Sequence, residues 1–471
     1  MSLLNQLRRV AIVGLPNSGK TVLLTSLLMH LRNLSPDIAD GVGTLTSFRP
    51  RCGKGTIGHS LPEFPFDLYR RHLAEHGVFP DKTVTESEFS FDLDVDRRRY
   101  QVDVLDVPGE RFYDLEMFGH DYEAWCDQLE KLWNREPHPA MGEYSHVFDS
   151  VECPPAEAVV KAYRHLLAQL IADYRTSISP STFRLGRSGI AARGRSGAAI
   201  LESVASNPCG LTLETQFAPM FRDIRERHKE LTKHFRAHYD AYRKTVVEPL
   251  FSELALCDRL IFLIDIPHLL AAGTGAFEDQ DHLIERALDA LVPKTGGGLI
   301  VGRFLRDRVL DVASLGSLFS DSFQWFRPGR VRRVAFVATK SDLVAVSDID
   351  RLARLLSLLV APKRSFLNGI DAEQIVLSAV KSTENPGIED SDVGHLTGRL
   401  QFDFSTTPPT RRSPSDTKVD YDVSRLPEEW QQSWGANSSF FPLVYPDIPK
   451  FRIVCPKQEN LNKLLKFIIH N

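Results

Sequence analysis

Residues 10–29 change from a continuous apolar run to a helical pattern. Residues 10–13 (Val-Ala-Ile-Val) are all apolar, which is typical of a strand buried on both faces. Residues 22–29 are mostly Leu, Val and Met and contain neither glycine nor proline, which favours a helix. Two glycines and a proline lie between these runs, in residues 14–21. The pattern therefore predicts a strand, a tight loop and a helix in succession.

Two runs of alternating apolar and polar residues follow further along the chain. They consist of Phe89, Phe91, Leu93 and Val95, and then of Tyr100, Val102 and Val104. Residues 96–99 (Asp-Arg-Arg-Arg) interrupt the alternation and predict a turn, so the two runs form an antiparallel hairpin. Before the hairpin, residues 34–84 are rich in glycine and predict an irregular segment with a short helix at 67–76.

From residue 112 to residue 256 the pattern is helical. Helices are predicted at 113–133, 156–174 and 221–247, and Pro249 is expected to end or kink the last of them. Its apolar stripe consists of Phe221, Ile224, Leu231, Phe235 and Tyr242. A coiled-coil contact with a partner would also produce this stripe, but packing within the domain is the commoner cause. This region is therefore a predicted helical insertion.

Three further apolar runs, at residues 259–265, 333–338 and 374–377, predict strands of a parallel sheet. Helices are expected at 279–291, 304–325 and 460–470, and residues 404–417 predict a loop or mobile arm. The whole pattern predicts an α/β fold whose mostly parallel sheet contains one antiparallel hairpin strand and is flanked by helices. The predicted divisions are 1–110 and 257–390 for the two parts of this core, 111–256 for a large α-helical insertion, and 391–471 for a C-terminal elaboration.

Composition and charge restrict the functional class. The chain has 471 residues, of which 42% are hydrophobic and 25% are charged, and its formal net charge is −4. These values are typical of a soluble globular protein and give no bulk attraction to nucleic acid. The N-terminus has no apolar segment of the secretory type, so we expect a cytoplasmic protein, although peripheral membrane contact stays open. The six scattered cysteines have no metal-ligand spacing.

The loop at residues 14–21 has the spacing Gly-x-x-x-x-Gly-Lys-Thr between its strand and its helix. Its glycines allow successive backbone N–H groups to face one anion, and Lys20 adds positive charge near the terminal phosphates. The Thr21 hydroxyl suits Mg²⁺. The predicted phosphate-binding residues are Gly14, Asn17, Ser18, Gly19, Lys20, Thr21 and Val22. We therefore predict that the chain binds a nucleoside triphosphate.

The hairpin ends in Asp106-Val107-Pro108-Gly109, which matches Asp-x-x-Gly. Such an aspartate orients the water shell of Mg²⁺, and the glycine N–H meets a γ-phosphate. An ordinary turn has similar residues, but the position one hairpin after the phosphate loop favours the nucleotide interpretation. A third metal ligand is expected upstream, where Thr83 and Thr85 both qualify. Thr83 is preferred because a loop precedes it, and an exposed loop threonine is the alternative.

The strand at 333–338 runs into Thr339-Lys340-Ser341-Asp342. A carboxylate at 342 would accept both N1–H and the exocyclic amine of guanine, a pair of donors that adenine does not offer, while the stem of Lys340 lies along the base. Ser378-Ala379, after the next strand, allows a backbone N–H to approach the guanine oxygen. The alternative is that Ser341 or Asp342 merely caps a helix.

These motifs, in this order, resemble the translation-factor-like class of P-loop GTPases. The Asp-Val-Pro-Gly-Glu-Arg element, the Pro80-Asp81-Lys82-Thr83 segment and the helical insertion further resemble the YcjX family of bacterial proteins, which are loosely described as nucleoside triphosphatases. The resemblance implies a GTPase fold, with GTP or GDP and Mg²⁺ as ligands. It also implies roles for Lys20, Thr83 and Glu110 in catalysis, and for Thr21, Thr83 and Asp106 in binding the metal.

The chain departs from the GTPase pattern at Glu110, where many GTPases have a water-orienting glutamine. A second negative charge beside the γ-phosphate predicts slow hydrolysis. Arg111 is a candidate compensating cation, whereas the group Arg184, Arg187, Arg193 and Arg195 is better explained as a solvated linker. Asn17 lies where some similar GTPases hold K⁺, which is therefore a candidate activator.

Two other functions stay open at this stage. In a non-hydrolysing switch or scaffold, the nucleotide would order residues 34–84 and 107–120 so that the helical insertion binds a protein partner. An ATPase of the same fold is the other alternative, because the base-reading motif is short. Neither the partner nor the oligomeric state follows from the sequence.

Overall fold

The computed structural model divides the chain into two compact units. The first unit comprises residues 1–109, 256–281 and 331–471, and the second comprises 110–255 and 282–330. The residues that the structure describes are 6–51, 61–81, 83–135, 138–149, 153–172, 178–185, 207–292, 331–367, 369–386, 393–403, 406, 410–414, 417–435, 441–447 and 455–470. The helix predicted at 304–325 lies outside these residues, as do Lys82 and most of the arginine group at 184–195.

A seven-stranded sheet forms the core of the first unit, in the order β2-β3-β4-β1-β5-β6-β7. The strands are β1 Gln6–Gly14, β2 Leu45–Pro50, β3 Ser87–Val95, β4 Arg98–Asp106, β5 Arg259–Ile264, β6 Arg333–Ala338 and β7 Asp371–Val376. In this spatial order, the neighbouring pairs β4-β1, β1-β5, β5-β6 and β6-β7 are parallel, whereas β3 is antiparallel to both β2 and β4. The predicted α/β fold, with a mostly parallel sheet and one antiparallel hairpin strand, is confirmed.

The central strands explain the apolar runs. Every residue of β5 is buried, and so are five of the six residues of β6. Because a parallel strand covered by helices has no face in water, its residues do not alternate. The hairpin turn is tighter than predicted, since only Asp96 and Arg97 lie outside the strands, with φ of 48° and 64°. Two left-handed residues form the turn that matches the strand twist.

The predicted irregular segment 34–84 contains a strand that the pattern did not indicate. Residues Leu45–Pro50 pair with β3 at the edge of the sheet, and none of the six is fully buried. An exposed edge strand has little apolar alternation, so the sequence gives it no signal. The short helix predicted at 67–76 is confirmed as Phe66–Arg71, continued by a π-helical turn at His72–His76.

The remaining helices of the first unit cover the sheet, and short strands complete its C-terminal part. The helices are Lys20–Arg32, Pro36–Ala39, Ile266–Ala272, Ile349–Val360, Arg364–Leu367 and Leu461–Ile469. The strands are β8 Thr383–Glu384, β9 Val393–Gly398, β10 Phe402–Asp403, β11 Thr410–Arg411 and β12 Val419–Ser424, of which β12, β9 and β8 form one three-stranded sheet. The closing helix predicted at 460–470 is confirmed, and its apolar residues are buried.

The second unit is helical in its described residues. After a 3₁₀ segment, Gly109–Met117, its helices are Tyr122–Arg135, Pro139–Asp149, Ala156–Ala172, Thr182–Leu185, Arg222–Arg227, Lys229–Tyr242 and Glu248–Ala255, and Thr274–Leu291 belongs to it from His282 onward. The helix predicted to start at 113 therefore starts at Tyr122, and Pro139–Asp149 was not predicted. None of the described helices is long and apolar enough to cross a membrane.

The predicted stripe of the long helix packs inside this unit. Ile224, Leu231, Phe235 and Tyr242 are buried, and the ring of Phe221 contacts that of Trp133. Packing within the domain, rather than an open coiled-coil seam, therefore explains the stripe. Pro249 does not end the helix, which continues to Ala255 after a π-helical turn at Arg243–Val247. The wider turn accommodates a residue that has no N–H to donate to the preceding turn.

Candidate functional site

The loop between β1 and the first helix folds tightly around its own backbone. A Cβ atom at Gly14 would lie 2.5 Å from the carbonyl oxygen of Leu263 and 2.7 Å from the Ser18 hydroxyl, so this position requires glycine. Asn17 and Gly19 have φ of 65° and 92°. Asparagine tolerates the left-handed region better than most residues do, which gives Asn17 a backbone role. Its side chain is exposed, and Val22 is half-buried.

Lys20 is the first residue of the helix, and its side chain turns back into the loop. Its ammonium group donates hydrogen bonds to the carbonyl oxygens of Gly14 (2.8 Å) and Leu15 (3.0 Å), and the residue is only 6% exposed. The cation therefore lies within the curve of the loop, beside the N-terminus of the helix. Both features attract an anion.

Three oxygen-bearing side chains from distant parts of the chain meet next to this loop. The hydroxyl oxygens of Thr21 and Thr83 are 2.6 Å apart, and the Thr83 hydroxyl donates to Oδ2 of Asp106 at 3.3 Å. These are the three predicted metal ligands. Thr85, the alternative to Thr83, is exposed. Hydroxyl and carboxylate oxygens are ligands that Mg²⁺ prefers.

Asp106 is fully buried, and its Oδ1 has no hydrogen-bond partner among the residues that the structure describes. Burial raises the pKa of Asp106 to about 6, although the charge of Lys20 and the Thr83 hydrogen bond both act to lower it. A buried carboxylate oxygen without a partner is unfavourable, so a cation at this point would satisfy it. The described residues contain no group of three His, Cys, Asp or Glu side chains arranged for a metal, and this cluster, with one carboxylate, is of a different kind.

The turn that follows Asp106 lies directly against the phosphate loop. A Cβ atom at Gly109 would lie 2.4 Å from the backbone nitrogen of Pro16 and 2.5 Å from the carbonyl carbon of Leu15. Since both neighbours are backbone atoms, they cannot move aside as a flexible side chain could. Gly109 therefore sets how closely the two predicted phosphate-binding segments approach each other.

Gly109→Ala is expected to separate these segments. The added methyl group should lower the free energy of unfolding by about 1–3 kcal/mol, because it overpacks a tight contact, and it should weaken binding at the phosphate loop. Urea denaturation of both proteins measures the first effect. Gly142→Ala is the matched control, because a Cβ atom at Gly142 meets nothing within 4 Å and should leave stability unchanged or higher. Equal stability of Gly109→Ala and the unaltered protein would contradict the tight contact.

At the end of β6, Asp342 faces the loop that follows β7 rather than its own helical turn. Its Oδ1 accepts a hydrogen bond from the Ser378 hydroxyl (2.7 Å), and its Oδ2 accepts one from the backbone N–H of Ser382 (2.8 Å). Both of these donors belong to the loop after β7, so neither contact is that of a cap on the turn at Ser341–Leu343. Burial raises the pKa of Asp342, although the hydrogen bonds from Ser378 and Ser382 act to lower it.

Thr339 connects this region to the phosphate loop, because its hydroxyl donates to the carbonyl oxygen of Ser18 at 3.0 Å. Lys340 adopts a left-handed conformation, with φ of 59°, and its ammonium group lies 2.5 Å from Oδ2 of Asp265. The Ala379 carbonyl accepts a hydrogen bond from Ser26 at 2.5 Å.

Asp265 and Ser382 thus belong to the site although the sequence pattern did not select them. Asp265 marked only the charged end of a strand, and Ser382 acts through its backbone, which gives no signal.

The residues after Gly109 belong to the second unit. Glu110 is 1% exposed. The Arg111 guanidinium donates to the Ser181 hydroxyl (3.1 Å), and the buried Asp114 accepts hydrogen bonds from the Ser181 N–H and the Tyr242 hydroxyl, both at 2.7 Å. Arg111, considered above as a compensating cation, is therefore held inside the helical unit. The side chain of Arg184 lies outside the described residues, together with Arg187, Arg193 and Arg195.

Comparison with known proteins agrees with the resemblance noted above. The model of the YcjX-like family, DUF463, matches residues 8–469. A protein of Shewanella oneidensis named Ras-like GTPase YcjX is 23% identical over 411 residues, which cover 80% of this chain and 77% of that protein.

Proposed function

The chain belongs to the YcjX-like family, and we propose that it binds GTP and GDP with Mg²⁺ and hydrolyses GTP slowly. One observation carries the proposal. Two groups of side chains lie at the same edge of the sheet, Thr21, Thr83 and Asp106 in one and Thr339, Asp342 and Ser378 in the other. Thr83 precedes the antiparallel strand β3, whose first residue pairs with Asp106, and the others follow or end parallel strands. The Thr339–Ser18 hydrogen bond connects them. Ligands of open α/β sheets bind at the carboxyl ends of the strands.

The phosphate end of the site fits a triphosphate with its metal. In the proposed complex the loop amides and Lys20 hold the phosphates, while Thr21, Thr83 and Asp106 hold Mg²⁺ directly or through its water. The Oδ1 atom of Asp106, which has no hydrogen-bond partner in the described part of the chain, is the feature that best supports a cation at this point. When bound, Mg²⁺ would supply positive charge that offsets the negative charge of the phosphates.

The base end of the site fits guanine. The carboxylate oxygens of Asp342 accept hydrogen bonds from the Ser378 hydroxyl and the Ser382 N–H. In the proposed complex, further lone pairs of the same two oxygens accept N1–H and the 2-amino group of guanine. Ser378 and Ser382 fix the carboxylate in one orientation, so little rotamer freedom is lost when the base binds. Adenine would leave this buried acceptor without its donors, which disfavours ATP.

Hydrolysis would proceed by attack of water on the γ-phosphorus with GDP as the leaving group. Lys20, the loop amides and the N–H of Gly109 would stabilise charge on the phosphate oxygens as the bond breaks. Glu110 would orient the water, but its negative charge opposes the approach to the phosphate, so we expect slow turnover. Glu110 equally favours the second candidate, a nucleotide-dependent switch that does not hydrolyse GTP.

The motif that contacts the γ-phosphate in this proposal continues directly into the helical unit. Gly109 ends the first unit, and Glu110 begins the second. Arg111 and Asp114 are then fixed by Ser181 and Tyr242. Any movement of Gly109 on hydrolysis would therefore displace residues 110–114, which directly follow it in the chain and are hydrogen-bonded within the helical unit. This arrangement supports coupling between the nucleotide and a protein partner bound by the helices.

Removal of Mg²⁺ tests the proposal. Purified protein should bind GDP and GTP, discriminate against ADP and ATP, and release phosphate from GTP slowly. Calorimetry and a phosphate-release assay measure these properties. With EDTA, phosphate release should stop and GTP binding should weaken, because the γ-phosphate loses its counter-charge. Repeating the assay in K⁺ and in Na⁺ tests Asn17 as a potassium ligand.

Other outcomes of these assays would favour a different function. GTP binding without phosphate release, in either salt, would favour the switch. Equal competition by ATP and GTP would favour an ATPase, and no uptake of any guanine nucleotide by folded protein would remove the proposal.

A further inference from the structure

We propose that Tyr421, on the small C-terminal sheet, is a specificity-determining residue that helps Asp342 to recognise the 2-amino edge of guanine. This inference rests on the proposed guanine site and adds to it a part of the chain far from any nucleotide motif. Two observations support it. The β8-β9-β12 sheet contacts residues 342–345, and the buried Tyr421 hydroxyl has no hydrogen-bond partner among the described residues.

The inner face of this sheet packs on the base-reading segment. Thr383 of β8 is paired with Gly398 of β9, which is paired with Val419 of β12. The Thr383 hydroxyl donates to the carbonyl oxygen of Asp342. A Cβ atom at Gly394, also on this face, would lie 2.8 Å from Cβ of Ala345. The sheet is therefore in direct contact with residues 342–345.

Tyr421 lies on the same inner face. It is paired with Leu396 of β9 and lies two residues along β12 from Val419, the partner of Gly398. A Cβ atom at Gly398 would be 3.4 Å from Cε1 of Tyr421 and 3.5 Å from the carbonyl oxygen of Ser382. The tyrosine ring and the Ser382 backbone therefore both border Gly398, and the N–H of that same Ser382 donates to the Asp342 carboxylate. The ring is thus adjacent to the group that orients the base reader.

The Tyr421 hydroxyl is buried and has no hydrogen-bond partner among the described residues. Burial raises the pKa of Tyr421, and the negative charge of Asp342 raises it further. A buried hydroxyl without a partner is unfavourable unless a ligand completes it. Guanine can do so, because its 2-amino group has two N–H bonds and Asp342 uses only one. Hypoxanthine has no such group.

The test compares GDP with IDP, which lacks the 2-amino group, in the unaltered protein and in Tyr421→Phe. We expect Tyr421→Phe to weaken GDP binding about 3- to 10-fold, as expected for the loss of one hydrogen bond, and to leave IDP binding within about two-fold of its original value. Calorimetry measures both ligands. The ratio of the GDP to the IDP dissociation constant is the quantity that decides, because a purely structural role would change both equally.

Stability without nucleotide gives a second readout. Removing a hydroxyl that has no partner should leave the melting temperature unchanged or raise it. The matched control is Tyr445→Phe, since the Tyr445 hydroxyl donates to the Arg412 carbonyl at 2.9 Å. This control should lower the melting temperature and leave the GDP-to-IDP ratio unchanged.

The outcomes separate this inference from the proposed function. If the unaltered protein prefers GDP to IDP and Tyr421→Phe keeps that preference, the role of Tyr421 is overturned while the guanine site stands. An equal loss for GDP and IDP also overturns it. If the unaltered protein binds neither ligand, the proposed guanine site itself is wrong, and the role of Tyr421 is overturned with it.

Discussion

Asp342→Asn is expected to transfer the base preference of the protein from guanine to xanthine. Guanine offers N1–H and the 2-amino group, which an aspartate accepts, whereas xanthine has a carbonyl oxygen in place of the amine. The amide N–H of asparagine can donate to that oxygen. Asparagine keeps one oxygen that can accept a guanine donor, but this oxygen carries no net charge, and the amide N–H faces the 2-amino group, donor against donor. GDP binding should therefore weaken by about 3–6 kcal/mol, or roughly 10² to 10⁴-fold. Direct calorimetric titration of the unaltered protein and of Asp342→Asn with GDP, XDP and ADP measures the change.

The surroundings of Asp342 determine how the asparagine would orient. The N–H of Ser382 can only donate, so the side-chain oxygen of the asparagine must face it. The amide nitrogen then faces Ser378, whose hydroxyl can rotate to accept a hydrogen bond in place of donating one. The substituted side chain therefore keeps both internal contacts, and we expect it to fold in place. A gain of XDP binding requires this orientation.

The matched control for this experiment is Asp348→Asn. Asp348 is another fully buried aspartate of the same unit, and it accepts hydrogen bonds from Arg425 (2.8 Å) and from the N–H of Leu426 (2.9 Å). Its substitution should destabilise the fold and leave the ranking of GDP, XDP and ADP unchanged. If Asp342→Asn retained the original affinity for GDP, Asp342 could not be the base reader.

Much of the fold could be predicted because its signals are local. The apolar runs within β1, β5 and β6, the alternating hairpin and the helix after Gly19 each show their pattern within a dozen residues. The edge strand Leu45–Pro50 and the π-helical turn before Pro249 have no such signal. The strand is too exposed to alternate, and the turn depends on packing around a proline.

Some features of the candidate site could likewise be predicted from the sequence, and others could not. Lys20, Asp106 and Asp342 could be selected because fixed spacing and position in the chain identify them. Their contacts could not be predicted, since Thr83 meets Thr21 across 62 residues and Ser382 meets Asp342 across 40. The choice between Thr83 and Thr85, and the roles of Asp265 and Tyr421, depend on such distant contacts. Spacing identifies the residue types for phosphate and base, while the tertiary fold decides which neighbours orient them.

Lys20→Ala is expected to have the largest effect on triphosphate binding. The substitution removes a buried ammonium group that would face several phosphate oxygens, and truncation of such a charge costs about 2–5 kcal/mol, or roughly 30-fold to several thousand-fold in affinity. Phosphate release from GTP should fall to background, because charge develops on those same oxygens as the bond breaks. Calorimetry with GTP and GDP and the phosphate-release assay measure both effects.

Lys20→Ala is also expected to lower stability, so a control variant is needed to distinguish loss of binding from loss of folding. The Lys20 ammonium group also donates to the Gly14 and Leu15 carbonyls, so its removal loosens the loop. Lys363→Ala controls for the loss of a buried lysine, because Lys363 is 1% exposed and its ammonium group lies 2.5 Å from Asp281. Both variants should melt at lower temperature, but only Lys20→Ala should lose GTP. Normal GTP hydrolysis by folded Lys20→Ala would exclude the phosphate loop as the catalytic site, since no neighbouring side chain of the loop carries a compensating positive charge.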